Sequence, residues 1–181
     1  ISIDGGEAVA ATLSGTGAEL TGTFTPSTAL ADGEHTVEVY AYDYDENKSN
    51  VASVTFTIDT TPPTLVVTSP ADKADVNVAS ATLAGTTNDI TSSPVTVTAT
   101  LNGSDVGEIA VSADGTFSKA ITLATGLNTI VVTATDSAGK VTTVTRTVTL
   151  DTGAPVFENV TLTENPAETG ATVTITVVVR D

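Results

Sequence analysis

The residues of this chain best suited to chemistry are oxygen ligands. In Tyr42-Asp43-Tyr44-Asp45-Glu46-Asn47, the side chains of Asp43, Asp45 and Asn47 alternate, and alternating carboxylate and amide oxygens in a turn recur as Ca²⁺ ligands. The downstream Gly and bidentate Glu of an EF-hand loop are missing, so a site here would be of another kind. Asp and Asn are also ordinary turn formers, bonding their own backbone, so a solvated turn is the competing reading. Three Asn-x-Ser/Thr sequons begin at Asn47, Asn102 and Asn159; they qualify as glycosylation acceptors, and a Thr-rich chain also produces such matches by chance. Tyr40, Tyr42 and Tyr44, with His35 nearby, form a possible aromatic strip for a sugar or for a packing neighbour. Catalysis finds no footing. One His, no Cys and scattered carboxylates leave no triad, metal-hydrolase box or P-loop. Asp4 and Glu7 flank Gly5-Gly6 as hairpin residues do, and no spacing singles out a glycosidase-type acid pair.

The elements that position these groups must be strands. The 181 residues are 40% hydrophobic but only 4% aromatic, without Met, Trp or Cys. Cores must therefore be built from Val, Ile, Leu and Ala with a few Phe. The many Val and Thr branch at Cβ, which restricts χ1 and favours strands. Absence of Cys removes disulfides, zinc-thiolate sites and thiol chemistry. The 22 acidic against 6 basic residues give a net charge of −16, which argues against nucleic acid as a partner, since phosphate binding needs clustered Lys and Arg. No apolar run is long enough to span a membrane. No signal peptide is visible, as expected of a segment that starts downstream of one.

Self-comparison reveals a repeat. Gly33-Glu34-His35-Thr36-Val37-Glu38-Val39-Tyr40-Ala41-Tyr42-Asp43 aligns with Gly126-Leu127-Asn128-Thr129-Ile130-Val131-Val132-Thr133-Ala134-Thr135-Asp136. Gly22-Thr23-Phe24 aligns with Gly115-Thr116-Phe117, and Ile58-Asp59-Thr60-Thr61-Pro62-Pro63 with Leu150-Asp151-Thr152-Gly153-Ala154-Pro155. The period is about 92 residues, the size of one small β-sandwich. Period-2 alternation predicts strands over 37–41, 51–58, 64–68, 81–86, 95–101, 116–123, 129–135, 141–150, 156–163 and 172–179. Asn102-Gly103 and Asp114-Gly115 are turn signals. The fold class is all-β: tandem immunoglobulin-like sandwiches, one complete (62–152) and two partial (1–61, lacking its first two strands, and 153–181, supplying two). The predicted core includes Phe24, Val37, Val39, Phe117, Ile121, Ile130, Val132 and Val148. Pro62-Pro63 should stiffen the junction into a rod.

The out-of-phase ends permit two readings. The segment is a window from a longer array, or residues 155–181 of one chain complete the sandwich at 1–58 of the next, a head-to-tail strand donation that builds filaments.

The run Val132-Thr133-Ala134-Thr135-Asp136-Ser137-Ala138-Gly139-Lys140, with Leu150-Asp151-Thr152-Gly153-Ala154-Pro155 and Ile58-Asp59-Thr60-Thr61-Pro62-Pro63, resembles the bacterial Ig-like repeats of large surface adhesins and biofilm proteins. Asn165-Pro166-Ala167 before a Thr/Val strand is similar to Ig-like domains of bacterial and archaeal envelope proteins. The resemblance covers the whole chain. It implies Ca²⁺ shared between domains, carried by Asp43, Asp45 and Asp59 at the first junction and by Asp136 and Asp151 at the second. It also implies an extracellular or cell-surface address and a non-enzymatic spacer or stalk role in an adhesin, surface layer or filament. The partners expected are neighbouring Ig-like domains or identical subunits, and surface glycans or another cell surface. An accessory module of a secreted carbohydrate-active enzyme is the other alternative, because such modules serve many proteins.

Overall fold

The computed structural model describes residues 1–16, 19–162, 169–170 and 172–181, and it is all strand and turn. Asn165-Pro166-Ala167 lies outside the described residues. Fifteen strands are described: β1 Ser2–Ile3, β2 Thr12–Thr16, β3 Glu19–Thr23, β4 Gly33–Val39, β5 Ala52–Ile58, β6 Thr64–Ser69, β7 Ala74–Val76, β8 Ser80–Asn88, β9 Thr96–Leu101, β10 Ser104–Ile109, β11 Thr116–Thr122, β12 Gly126–Thr135, β13 Val141–Leu150, β14 Val156–Leu162 and β15 Ile175–Arg180. No helix among the described residues is long and apolar enough to cross a membrane.

Strands β6 to β13 build a two-layer sandwich. One sheet has the order β10-β9-β12-β13-β7, the other β11-β8-β6. Alternation along β12 turns Asn128, Ile130, Val132 and Ala134 inward, where they meet Val97, Ala99, Val148, Leu83, Ile121 and Phe117. These β-branched and aliphatic chains seal one core, the main favourable contribution to folding. Gly85 is required there: a Cβ on it would stand 2.2 Å from the Val66 carbonyl oxygen and 2.5 Å from Phe117 Cζ.

Residues 1–58 repeat part of this plan. β4 lies between β1 and β5, as β12 lies between β9 and β13, so the stretches around Val39 and Val132 hold the same topological place. The turn after β1 repeats the turn after β9, with Asp4 and Asn102 both at positive φ. Asp4 Oδ1 accepts from Thr36 N–H, as Asn102 Oδ1 accepts from Thr129 N–H. Strands β2 and β3 form a separate hairpin. Among the described residues nothing in 1–58 stands where β6 and β8 stand, and this corrects the expected core. Phe117, Ile121, Ile130, Val132 and Val148 are buried, whereas Phe24 and Val37 are half-buried and Val39 is exposed. Strands β14 and β15 pair only with each other and are exposed on both faces.

The two repeats differ in one buried polar tie. In the complete sandwich Asn128 donates to the Ala124 carbonyl and Asn102 donates to Asn128. In the first unit His35 takes the place of Asn128, its Nε2 2.8 Å from the Ala31 carbonyl and its Nδ1 2.6 Å from Asp4 Oδ2. The Ala31 carbonyl and then Asp4 raise the His35 pKa above 6.5. His35 and then the Thr36 N–H lower the Asp4 pKa below 3.8. The depressed Asp4 contributes stability above pH 3.8 that is lost as pH falls through its folded value; the raised His35 contributes stability below pH 6.5 that is lost as pH rises through its folded value. The tie is therefore strongest between those limits. All three tyrosines lie in this unit, so tyrosine fluorescence reports on it alone. Its urea midpoint should fall between pH 5.5 and pH 8.5 (roughly the span across a raised His value), and His35→Asn should flatten that slope. Equal midpoints at the two pH values would remove the assignment.

Candidate metal centre

The chain leaves β5 through Asp59-Thr60-Thr61-Pro62-Pro63 and enters β6. Two anchors hold this connection. Asp32 accepts hydrogen bonds from Thr60 N–H and from the hydroxyls of Thr60 and Thr61. Those hydroxyls, Thr61 first, hold its pKa below the usual value. From the other side, the Thr142 hydroxyl donates to the Pro63 carbonyl at 2.6 Å.

At this connection three carboxylates converge. Asp59 lies in the connection, Asp89 directly follows β8, and Asp136 directly follows β12. One carboxylate oxygen from each lies within 4.8 Å of the other two. Each side chain is fixed by its own loop. Asp59 Oδ1 caps Thr61 N–H at 3.0 Å. Asp89 Oδ1 accepts from Thr91 and Ser92 N–H at 2.9 and 2.8 Å. Asp136 Oδ1 accepts from Lys140 N–H at 2.8 Å. The loops of Asp89 and Asp136 are tied together by Ser137 N–H donating to the Ser92 carbonyl. Asp136 is 6% exposed and Asp89 8%.

Asp59 Oδ2 and Asp136 Oδ2 are buried without a hydrogen-bond partner. An orphaned buried carboxylate oxygen is costly, and carboxylates brought together repel. A divalent cation relieves both costs. The donor set is hard oxygen without His or Cys, which suits Ca²⁺ or Mg²⁺ and not a thiophilic metal. Three carboxylates leave coordination positions for carbonyls and water, as Ca²⁺ demands.

The placement of the sequence candidates differs from expectation in its pairing. Asp59 and Asp136 do come together, but at one junction, not at two. The reason is the length and direction of the strands. β13 carries the chain about 30 Å from Asp136 before Asp151 is reached, at roughly 3.3 Å per residue. A turn after β12 therefore faces the preceding connection, not the following one. By the same logic β5 separates Asp43 from Asp59. Asp43 is spent within its own turn: Oδ1 accepts from Asp45 and Asn47 N–H, and Oδ2 accepts from Asn47 Nδ2 at 2.9 Å. The Asn47 side chain is the first cause of its lowered pKa. The Asp136 turn is the same turn, with N–H to carbonyl bonds at matching positions, but Lys140 replaces Asn47 and leaves Oδ2 free for the cluster. Asp151 is exposed and accepts from Gly153 N–H.

Asp89 was not foreseen. A signal for it exists: Asp181 stands one period of about 92 residues further on, as Asp151 does from Asp59 and Asp136 from Asp43.

The other candidates are placed as follows. Asn102 is engaged through both ends of its amide and Asn47 through Nδ2, while Asn159 lies exposed at the irregular register of β14. Tyr40 and Tyr42 pack edge to face at 5.7 Å. Lys48 Nζ sits 3.8 Å from the Tyr40 ring centre, and Tyr44 is fully exposed. His35 is buried on the other face and does not join them.

The two family models that match this chain agree with this architecture. Residues 1–60 match the family model described as bacterial Ig-like domain. Residues 63–152 match the one described as glucodextranase, domain B. Among solved structures, the chain is similar to fibronectin(III)-like modules of Clostridium thermocellum CbhA (20% identity, 68% of this chain and 65% of that one, TM-score 0.44). It is also similar to dimeric latent PorU from Porphyromonas gingivalis (18% identity, 88% and 18%, TM-score 0.39). A third is SGBP-B of the Bacteroides ovatus mixed-linkage glucan utilization locus, in complex with a mixed-linkage heptasaccharide (17% identity, 93% and 42%, TM-score 0.30). The chain thus spans less than two thirds of each of these structures. A comparison with curated proteins found no match. With a bacterial Ig-like match over 1–60, a second match over 63–152 and sheets to fit both, the chain is a tandem array of immunoglobulin-like β-sandwich repeats.

Proposed function

We propose that this chain is a non-catalytic structural segment of an extracellular or cell-surface protein, a spacer whose successive sandwiches are locked by a divalent cation, Ca²⁺ by donor type, held by Asp59, Asp89 and Asp136. One observation carries the reading. Two buried carboxylate oxygens lack hydrogen-bond partners, Oδ2 of Asp59 in the connection and Oδ2 of Asp136 in the following sandwich, and both carboxylates belong to the same three-Asp cluster. Each alone would be a defect; together with Asp89 they form a ligand set donated by the connection and by the following sandwich. A cation bound there ties the connection that leaves β5 to the second unit, where the chain is otherwise held by Asp32 and Thr142. Rigidity and reach are what a stalk supplies.

Isothermal titration of the chain with CaCl₂ tests this. Expected is one saturable site with a Kd on the order of 10⁻⁵–10⁻³ M, the range from sensor to extracellular sites. Asp89→Asn should remove it. Absence of binding heat at millimolar calcium would end the reading.

The match of residues 63–152 to glucodextranase domain B favours a second reading, an accessory module of a secreted carbohydrate-active enzyme. Retarded migration of the chain through a gel containing soluble glucan would support it. Unchanged migration favours the spacer.

A further inference from the structure

The three carboxylates of the cation site come from the connection and from the complete sandwich, and none comes from residues 1–58. The first unit reaches the site at one remove, through Asp32, which stands directly before β4. Asp32 Oδ1 accepts from Thr60 N–H at 2.9 Å and from the Thr60 hydroxyl at 2.8 Å, and Oδ2 accepts from the Thr61 hydroxyl at 2.7 Å. These are the two residues that follow Asp59. Asp59 Oδ1 holds the Thr61 N–H, while Asp59 Oδ2 is one of the two unpartnered oxygens. One dipeptide is thus gripped by two carboxylates, one from the first unit and one that is itself a ligand. Bonds to ionised acceptors are among the stronger ones.

Asp32 is anchored in its turn. The carbonyl of Ala31, the residue before it, lies 2.8 Å from His35 Nε2, and His35 Nδ1 lies 2.6 Å from Asp4 Oδ2. A continuous chain of bonds therefore runs from the buried tie of the first unit to the ligand Asp59. The second connection shows what this clasp is not for. There Asp151 Oδ1 accepts from Gly153 N–H at 2.8 Å, the turn that Asp59 and Thr61 make at 3.0 Å. Yet by the repeat Thr125 stands in the place of Asp32, and Gly153, without a hydroxyl, in that of Thr61. The turn forms without a clasp. Asp32 does not shape the turn that presents Asp59; it fastens that turn to the first unit.

We propose that Asp32 is the positioning residue that couples the cation site to the first unit: calcium held by Asp59, Asp89 and Asp136 stabilises residues 1–58, and the clasp in turn tightens calcium binding. The coupling regulates the proposed cation site and rests on that reading. Its physical basis is entropic. A cation that fixes Asp59 also restrains Thr60 and Thr61, so Asp32 grips groups that have already lost freedom. Linkage gives both directions of the effect one magnitude. Coupled sites typically change each other's affinity by about 5–150-fold, and a clasp in an exposed loop belongs near the lower end.

Hydrogen–deuterium exchange of the 181-residue chain in EDTA and in excess calcium, read by mass spectrometry for each unit separately, tests it. In the parent, calcium should slow the amides of β12 and β13 and also those of β4 and β5, the latter by about fivefold or more. Asp32→Ala should keep the slowing in β12 and β13 and lose it in β4 and β5. Titration should find its calcium affinity weaker by about fivefold. Ser49→Ala removes the acceptor of Ala41 N–H in the loop between β4 and β5; it loosens the first unit away from the clasp and should keep the slowing there. Calcium that slows only the complete sandwich of the parent overturns the proposal and leaves the cation site standing. So does slowing of β4 and β5 that survives Asp32→Ala, or that disappears equally with Ser49→Ala. Calcium that slows exchange nowhere overturns the cation site, and this coupling with it.

Discussion

Asn128→Ala should cost the complete sandwich roughly 3–6 kcal/mol, enough to leave a domain of ordinary stability barely folded. Asn128 is fully buried and every part of its amide is used. Oδ1 accepts from Ala124 N–H at 2.8 Å and from Asn102 Nδ2 at 3.0 Å. Nδ2 donates to the carbonyls of Ala124 at 2.7 Å and Gly126 at 2.9 Å. The side chain thus ties the turn before β12 to the turn after β9. Truncation leaves several backbone groups without partners in a place where water is excluded, each costing about 1–3 kcal/mol. A cavity adds to this. Urea unfolding followed by circular dichroism gives the magnitude; a loss below about 1 kcal/mol, the size of a surface change, would mean that the tie is not structural. The first unit supplies a sharper test. It solves the same problem with His35 and Asp4, so Asn128→His combined with Asn102→Asp should recover part of the loss that either change causes alone. It should also import the pH dependence expected of His35. Strict additivity of the two changes would contradict the correspondence, because residues in one network couple.

That correspondence shows where sequence reasoning reaches and where it stops. Strands β12 and β13 were legible because long alternation of Val and Ile with Thr has only one good solution, a half-buried strand; β13 was bounded at 141–150 from pattern alone. Strands β2 and β3 were not legible. Thr-Leu-Ser-Gly-Thr and Glu-Leu-Thr-Gly-Thr have one apolar side chain each, so no face stands out. β7 is three residues held in parallel pairing to the end of β13, a tertiary contact that local pattern cannot announce. The expected burial of Val39 failed for a related reason: alternation says which face a side chain takes, not whether anything covers that face. At the metal centre, Asp59 and Asp136 each stood out by residue type and by the repeat. Their joining did not, because it depends on which pole of a sandwich each turn occupies. Asp89, inside an unremarkable Asn-Asp-Ile loop, becomes meaningful only once β8 is known to end there.

Calcium should raise the melting temperature of the complete sandwich, and Asp136→Asn should change the sign of the comparison. Binding to the folded state alone adds RT ln(1 + [L]/Kd), about 2.7 kcal/mol at a hundredfold excess over Kd. For a domain of this size that corresponds to roughly 10–20 °C. Asp136→Asn keeps the Oδ1 acceptor for Lys140 N–H but replaces the orphaned Oδ2 by an amide nitrogen, which carries no charge and can donate to the oxygens of Asp59 or Asp89. In EDTA the variant should therefore melt at or above the temperature of the parent, because a buried unpartnered carboxylate oxygen and its repulsion are gone. In excess calcium the order should reverse, since the variant has lost a charged ligand and gains little from the ion. Scanning calorimetry of both proteins in EDTA and in calcium reads the four values directly. A joint held only by hydrogen bonds predicts that the variant is the less stable of the two in both buffers, by the same margin; that result would show that the cluster does not bind a cation.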